Sequence, residues 1–128
     1  MTTLFDIAQN WLNQDPDAET HAELTALLTA AKKGDEKAKT ELQARFSGRL
    51  QFGTAGLRGP LQAGPMGMNR VLVAQAAGGL ADYLKDYDKQ PSIVIGYDGR
   101  KNSDVFARDT AEIMAGAGVK AYLLPRKL

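Results

Sequence analysis

The chain has 128 residues, 44% of them hydrophobic, which is one domain's worth of material with enough apolar content for a real core. Lys plus Arg number 16 against 15 Asp plus Glu, and a formal charge of +1 gives no electrostatic drive toward nucleic acid or an anionic membrane. The absence of cysteine excludes disulfides, thiolate catalysis and cysteine-ligated zinc, and it suits a reducing cytoplasm.

Asp6, Gln9 and Asn10 interrupt what a signal peptide would need as its apolar segment, and no stretch is long enough to span a bilayer. Instead, Leu4, Ile7, Ala8 and Trp11 recur at helical spacing, which predicts an amphipathic helix with Trp11 in the core. Asp15-Pro16-Asp17 ends that helix and caps a second, whose stripe is Leu24, Leu27, Leu28 and Ala31, closed by Lys32, Lys33 and Gly34. Asp15 and Asp17 do not make a calcium loop, because the spaced acidic ligands and following Glu are missing. His21 falls on the polar side of the second helix and reads as solvated. A third helix starts at Asp35, turns Ala38, Leu42 and Phe46 inward and stops at Ser47-Gly48.

From Leu50 the texture changes to short apolar strands separated by glycine, so a boundary is expected near Gly48. Gly64-Pro65-Met66-Gly67 reads as a turn. Asn69 then caps a helix to about Tyr87, with Leu72, Ala76, Leu80 and Leu84 inward. Gly78-Gly79 inside it implies either close backbone packing or a deliberately weak point. Ser92-Ile93-Val94-Ile95 reads as a buried strand, Ser103 or Asn102 caps a helix through Ala117, Gly118 stops it, and Val119 to Leu124 is the next strand. Strand, helix and strand over this length predict a parallel crossover.

Phe52-Gly53-Thr54-Ala55-Gly56-Leu57-Arg58-Gly59 carries three glycines at three-residue spacing around one hydroxyl and one guanidinium. Glycine belongs where the backbone approaches a ligand closely, and Arg58 offers a planar fork of donors that suits phosphate or carboxylate. An oxyanion site and a glycine-rich turn with Arg58 in solvent are equally open readings. Neither a Walker loop nor a dinucleotide fingerprint is present. At the predicted carboxyl end of the strand, Tyr97-Asp98-Gly99-Arg100 makes Arg100 either a second phosphate candidate or a surface arginine in a turn. Asp98 either orients an arginine or, as preferred here, holds the turn by accepting backbone hydrogens. Thr54 either offers its hydroxyl to a phosphate or fits a strand, while Lys101 and Arg70 read as solvated.

The opening stretch resembles the first motif of the phosphohexomutase superfamily, the phosphoglucomutases and phosphomannomutases. Gly96-Tyr97-Asp98-Gly99-Arg100 resembles the second motif of their first domain. The resemblance implies an α/β fold, an N-terminal helical extension over residues 1–48 followed over 49–128 by an incomplete three-layer α/β/α mixed-sheet domain with a parallel βαβ unit. It also implies phosphoryl movement between the 1 and 6 positions of a hexose phosphate through a phosphoserine and a bisphosphorylated intermediate. In that setting Arg58 is the catalytic residue beside the phosphoserine, and Thr54, Arg58 and Arg100 bind substrate phosphate. Mg2+ and the activator glucose 1,6-bisphosphate belong to the entire enzyme.

The serine loop and magnesium loop of the family are not in this sequence, so the expectation is a chain shortened before its nucleophile, inactive by itself, with no metal ligands of its own. Lys127 and Leu128 read as a remnant beyond the family pattern. A shortened domain is also expected to self-associate through an exposed sheet edge. The alternative reading is a stand-alone phosphate-binding or regulatory module. A cytoplasmic location is expected, with neither nucleic acid nor a membrane as partner.

Overall fold

Each of the first three helices begins where a short polar side chain can satisfy backbone donors that the first turn leaves open. In the computed structural model, which describes residues 3–51 and 57–126, these are α1 (Leu4–Gln14), α2 (Ala18–Lys32) and α3 (Glu36–Arg45). Thr3 and Asp6 form a reciprocal capping box, each side chain accepting the other's backbone N–H at 3.2 Å. Asp17 caps α2 through the Glu19 N–H at 2.9 Å, and Asp35 caps α3 through the Ala38 N–H at 3.2 Å. Each such cap stabilises its helix by about 1 kcal/mol. Asp15 is buried because it has work between α1 and α2: its carboxylate accepts the Thr20 hydroxyl at 2.6 Å and the Asp17 N–H at 2.9 Å.

Two compact units result, Met1–Leu72 and Val73–Leu128. The textural change near Gly48 falls inside the first. Its core joins Ala8, Trp11, Leu12, Leu24, Leu28, Leu42 and Leu72, with Phe46 meeting Trp11 edge-on at 5.9 Å between ring centroids. Ile7, expected inward, is 44% exposed. The buried row on α1 is Ala8, Trp11 and Leu12, and a helix turned to bury Leu12 rotates Ile7 outward. His21 is exposed, as expected.

Arg45 ties this unit together. Its side chain, only 14% exposed, pairs with Glu23 of α2 and lies 2.9 Å from Glu41 of α3, and it approaches the Ala63 carbonyl at 3.4 Å. Burial by itself lowers the pKa of this guanidinium, but the bonds and charges of the two glutamates outweigh it and hold the group above its ordinary value.

Helix α4 (Arg70–Tyr87) begins in the first unit and continues in the second, where β1 (Ser92–Ile95), α5 (Ser103–Gly116) and β2 (Lys120–Leu123) follow. The strands pair in parallel, with Ser92 opposite Lys120 and Ile95 opposite Leu123. The expected strand-helix-strand crossover is therefore present, and the combination of helices with a small parallel sheet is an α/β fold. Ile93, Ala121 and Leu84 pack against a core of Ala77, Ala81, Met114 and Val119.

Two expectations fail here. Leu80 is 40% exposed, because the inward row of α4 is Ala77, Ala81 and Leu84. Strand β1 is not buried on both faces either, since Val94 is 67% exposed. A Cβ added at Gly78 or Gly79 would meet nothing within 4 Å, which removes close backbone packing as the reason for that pair.

Candidate functional site

Residues 57–69 fold back on themselves and carry Arg58 at their start. The Met68 N–H donates to the Pro60 carbonyl at 2.8 Å, Leu61 and Met68 form a parallel bridge, and the Leu50 N–H donates to the Pro65 carbonyl at 2.8 Å. The expected turn at Gly64 to Gly67 is there, with Gly64 at a φ of +97°, a conformation that a side chain would strain. At Gly67 the need is space: an added Cβ would stand 2.6 Å from the Gln62 carbonyl oxygen and 3.1 Å from that of Pro60. Arg58 itself is exposed, so its charge is presented to solvent. Thr54 and the rest of the opening motif, Phe52 to Gly56, lie outside the described residues.

In the second unit β1 ends at Ile95, and the chain turns through Tyr97 to Arg100 before entering α5. Asp98 organises that turn. Its Oδ1 accepts the Arg100 N–H at 3.0 Å, its Oδ2 lies 3.3 Å from Arg100 Nε, and its own N–H donates to the Ser103 hydroxyl oxygen at 3.2 Å. The two roles weighed for Asp98 are thus both filled. The Arg100 N–H first, then the Ser103 hydroxyl and the Arg100 charge, hold the Asp98 carboxyl below the usual carboxylate range.

Asn102 closes the turn at a left-handed φ of 67° without a side-chain cap bond, a conformation in which Asn is tolerated. Sequence reasoning offered Asn102 or Ser103 as the cap; Asn102 holds the position, while Ser103 serves the turn. Tyr97, Asp98, Gly99, Arg100 and Asp104 line an open cleft of about 330 Å³.

The Arg100 side chain is 87% exposed despite its bond to Asp98, so its guanidinium is oriented yet reachable. A cation oriented at the carboxyl end of a parallel strand, at the start of a helix, can donate to a phosphoryl oxygen without first being ordered. Asp104 also lines the cleft, and its negative charge opposes an anion there. Lys101 is exposed, as expected, whereas Arg70 is half-buried, contrary to the expectation that it is solvated, and both engage partners. Among the described residues no group of three or more His, Cys, Asp or Glu side chains is arranged to hold a metal ion. No helix is long and apolar enough to cross a membrane among them.

Residues 49–126 match the family described as phosphoglucomutase/phosphomannomutase, alpha/beta/alpha domain I. The chain belongs to this family. It is 94% identical over 63 residues to a probable phosphomannomutase of Haemophilus influenzae, a stretch covering 49% of this chain and 13% of that relative. It is 43% identical over 115 residues to a phosphoribomutase of Saccharomyces cerevisiae, covering 89% of this chain and 18% of the relative. A phosphoglucomutase of Staphylococcus haemolyticus is 43% identical over 89 residues, 70% of this chain and 16% of the relative. The chain thus spans less than a fifth of the length of these mutases. No solved structure matches it.

Proposed function

We propose that this chain is the first-domain part of a phosphosugar mutase, with residues 1–48 a helical extension and 49–128 the beginning of its α/β/α domain. Its share of the work is to present arginines to the phosphoryl group in transit. The observation that carries this reading is the Asp98–Arg100 turn, in which a carboxylate fixes a guanidinium that remains open to a cleft.

In this reading Arg58 is catalytic and Thr54, Arg58 and Arg100 contact substrate phosphate. A phosphoserine of the entire enzyme passes its phosphoryl group to the free hydroxyl of a hexose monophosphate. The bisphosphorylated sugar then returns its other phosphoryl group to the serine, which converts the 1-phosphate to the 6-phosphate. Charge spread over the phosphoryl oxygens during each transfer calls for fixed cationic donors, and Arg58 and Arg100 are such donors. Mg2+ supplies further charge neutralisation when bound to the entire enzyme, and glucose 1,6-bisphosphate primes it. The location is cytoplasmic.

The sugar is proposed to be glucose, with mannose and pentose phosphates assayed beside it because the similar mutases carry all three kinds of name. The test is turnover of each sugar 1-phosphate, with Mg2+ and glucose 1,6-bisphosphate, by a polypeptide that joins this chain to the remaining family domains. Conversion of at least one sugar is expected there, and none by the 128 residues alone. No conversion by the joined polypeptide, or conversion by the short chain, contradicts the reading.

A further inference from the structure

Asn69 is 2% exposed, yet it is a polar residue with more hydrogen bonds than a helix cap requires. Its Oδ1 accepts the Leu72 N–H at 2.9 Å, which is the cap. Its Nδ2 faces three carbonyls, Gln62 and Gly64 at 2.8 Å each and Gly67 at 3.3 Å. Carbonyls only accept, so the amide orientation is fixed by its surroundings: nitrogen toward the loop, oxygen toward the helix. Those carbonyls belong to the segment that runs on from Arg58 and folds back on itself. The Met68 N–H bond to Pro60 and the close approach of Gly67 to the Gln62 and Pro60 carbonyls complete the clamp. Pro60 stands two residues from Arg58, and its ring removes one backbone freedom from the link.

We propose that Asn69 is a positioning residue for Arg58: by holding the carbonyls of residues 62–67 to the first turn of α4, it fixes the backbone from which the arginine reaches the phosphoryl group. This rests on the mutase reading above. The cost of loosening the clamp falls on the rate, because a misplacement of about 1 Å at a charge-stabilising group can slow an enzyme on the order of a hundredfold.

Asn69→Asp separates the clamp from the cap, since the retained oxygen still accepts the Leu72 N–H while the donors to the three carbonyls are lost. Asn69→Ser is the second variant, with a cap-competent hydroxyl too short for the same reach. In the polypeptide joined to the remaining domains, kcat of Asn69→Asp should fall about tenfold or more. With Arg58→Ala already in place, the same change should leave kcat unaltered, because the residue acts through Arg58. An unaltered kcat where Arg58 is intact, or an equal fall with and without Arg58→Ala, overturns the proposal; should Asn69→Asp not fold, Asn69→Ser is judged by the same criteria. Amide exchange at Met68 and Gly67, measured on the 128-residue chain, reads the clamp without activity. Faster exchange in the variants is expected, and unchanged exchange overturns the clamp even if the mutase reading stands. A wild-type polypeptide without turnover sinks the mutase reading, and with it the positioning role, whatever the exchange shows.

Discussion

Asp98 and Arg100 are joined twice, by a backbone N–H donated to Oδ1 at 3.0 Å and by Nε at 3.3 Å from Oδ2. The carboxylate form is what both bonds need. A pKa held below the ordinary range means that its stabilisation of the turn is complete above the unfolded-state pKa and is lost as pH falls through the lower, folded-state value. At neutral pH it is therefore fully present. A carbon NMR titration of the Asp98 carboxyl should give a midpoint below that of an ordinary aspartate, moving upward in Arg100→Ala. A midpoint at or above the ordinary value contradicts the bonding described.

Glycine substitutions should have opposite signs in the two units. Gly67→Ala drives a Cβ against two backbone oxygens that cannot step aside, and should destabilise the first unit by about 1–3 kcal/mol. Gly79→Ala meets nothing in the middle of α4 and should stabilise the second by up to about 1 kcal/mol. Urea unfolding of each variant checks both. A neutral Gly67→Ala or a destabilising Gly79→Ala contradicts the packing.

The caps were legible because they are local: Asp17, Asp35 and Asn69 each bond a backbone N–H within three residues. The parallel crossover was legible from the lengths of its parts. Helix faces were less so, as Ile7 and Leu80 show, because the apolar pattern permits neighbouring faces and the packing of other elements decides between them. The burial of β1 was overread from Ser92-Ile93-Val94-Ile95, whose composition does not say whether a second layer covers Val94. At the site, spacing marked Arg100 and Asp98 correctly as neighbours in a turn. The contribution of Ser103 to that turn, and the bonds of Asn69 to Gln62 and Gly64 in the loop after Arg58, depended on backbone groups five or more residues away. No side-chain pattern reveals those.

Arg45 should matter to folding alone. Arg45→Met keeps most of the volume but leaves Glu23 and Glu41 facing each other without their cation. Both glutamates are partly exposed and can rehydrate, so the loss should be about 1–2 kcal/mol, short of the 3–5 kcal/mol for breaking a fully buried pair. Denaturant unfolding measures it. A more stable variant would show that the ion pairs cost more to bury than they return.

The chain is expected to self-associate. Val94 and Tyr122 stand opposite each other in the strand register and are 67% and 49% exposed, on a parallel sheet of a kind normally covered on both faces. Among the described residues each strand also has one unpaired edge. Light scattering should give a mass above 13.8 kDa that rises with concentration, and Val94→Lys should lower it. A single monomer mass across the series contradicts this.

The central claim is that the opening glycine-rich stretch exists to bring Arg58 to a phosphoryl group, and the most direct measurement is kcat of Arg58→Ala in the polypeptide joined to the remaining family domains. Arg58 is exposed, so the thermal midpoint should hardly move. Turnover should fall roughly a hundredfold or more, the usual scale for one fixed electrostatic donor. Normal turnover with an unchanged midpoint would contradict the account.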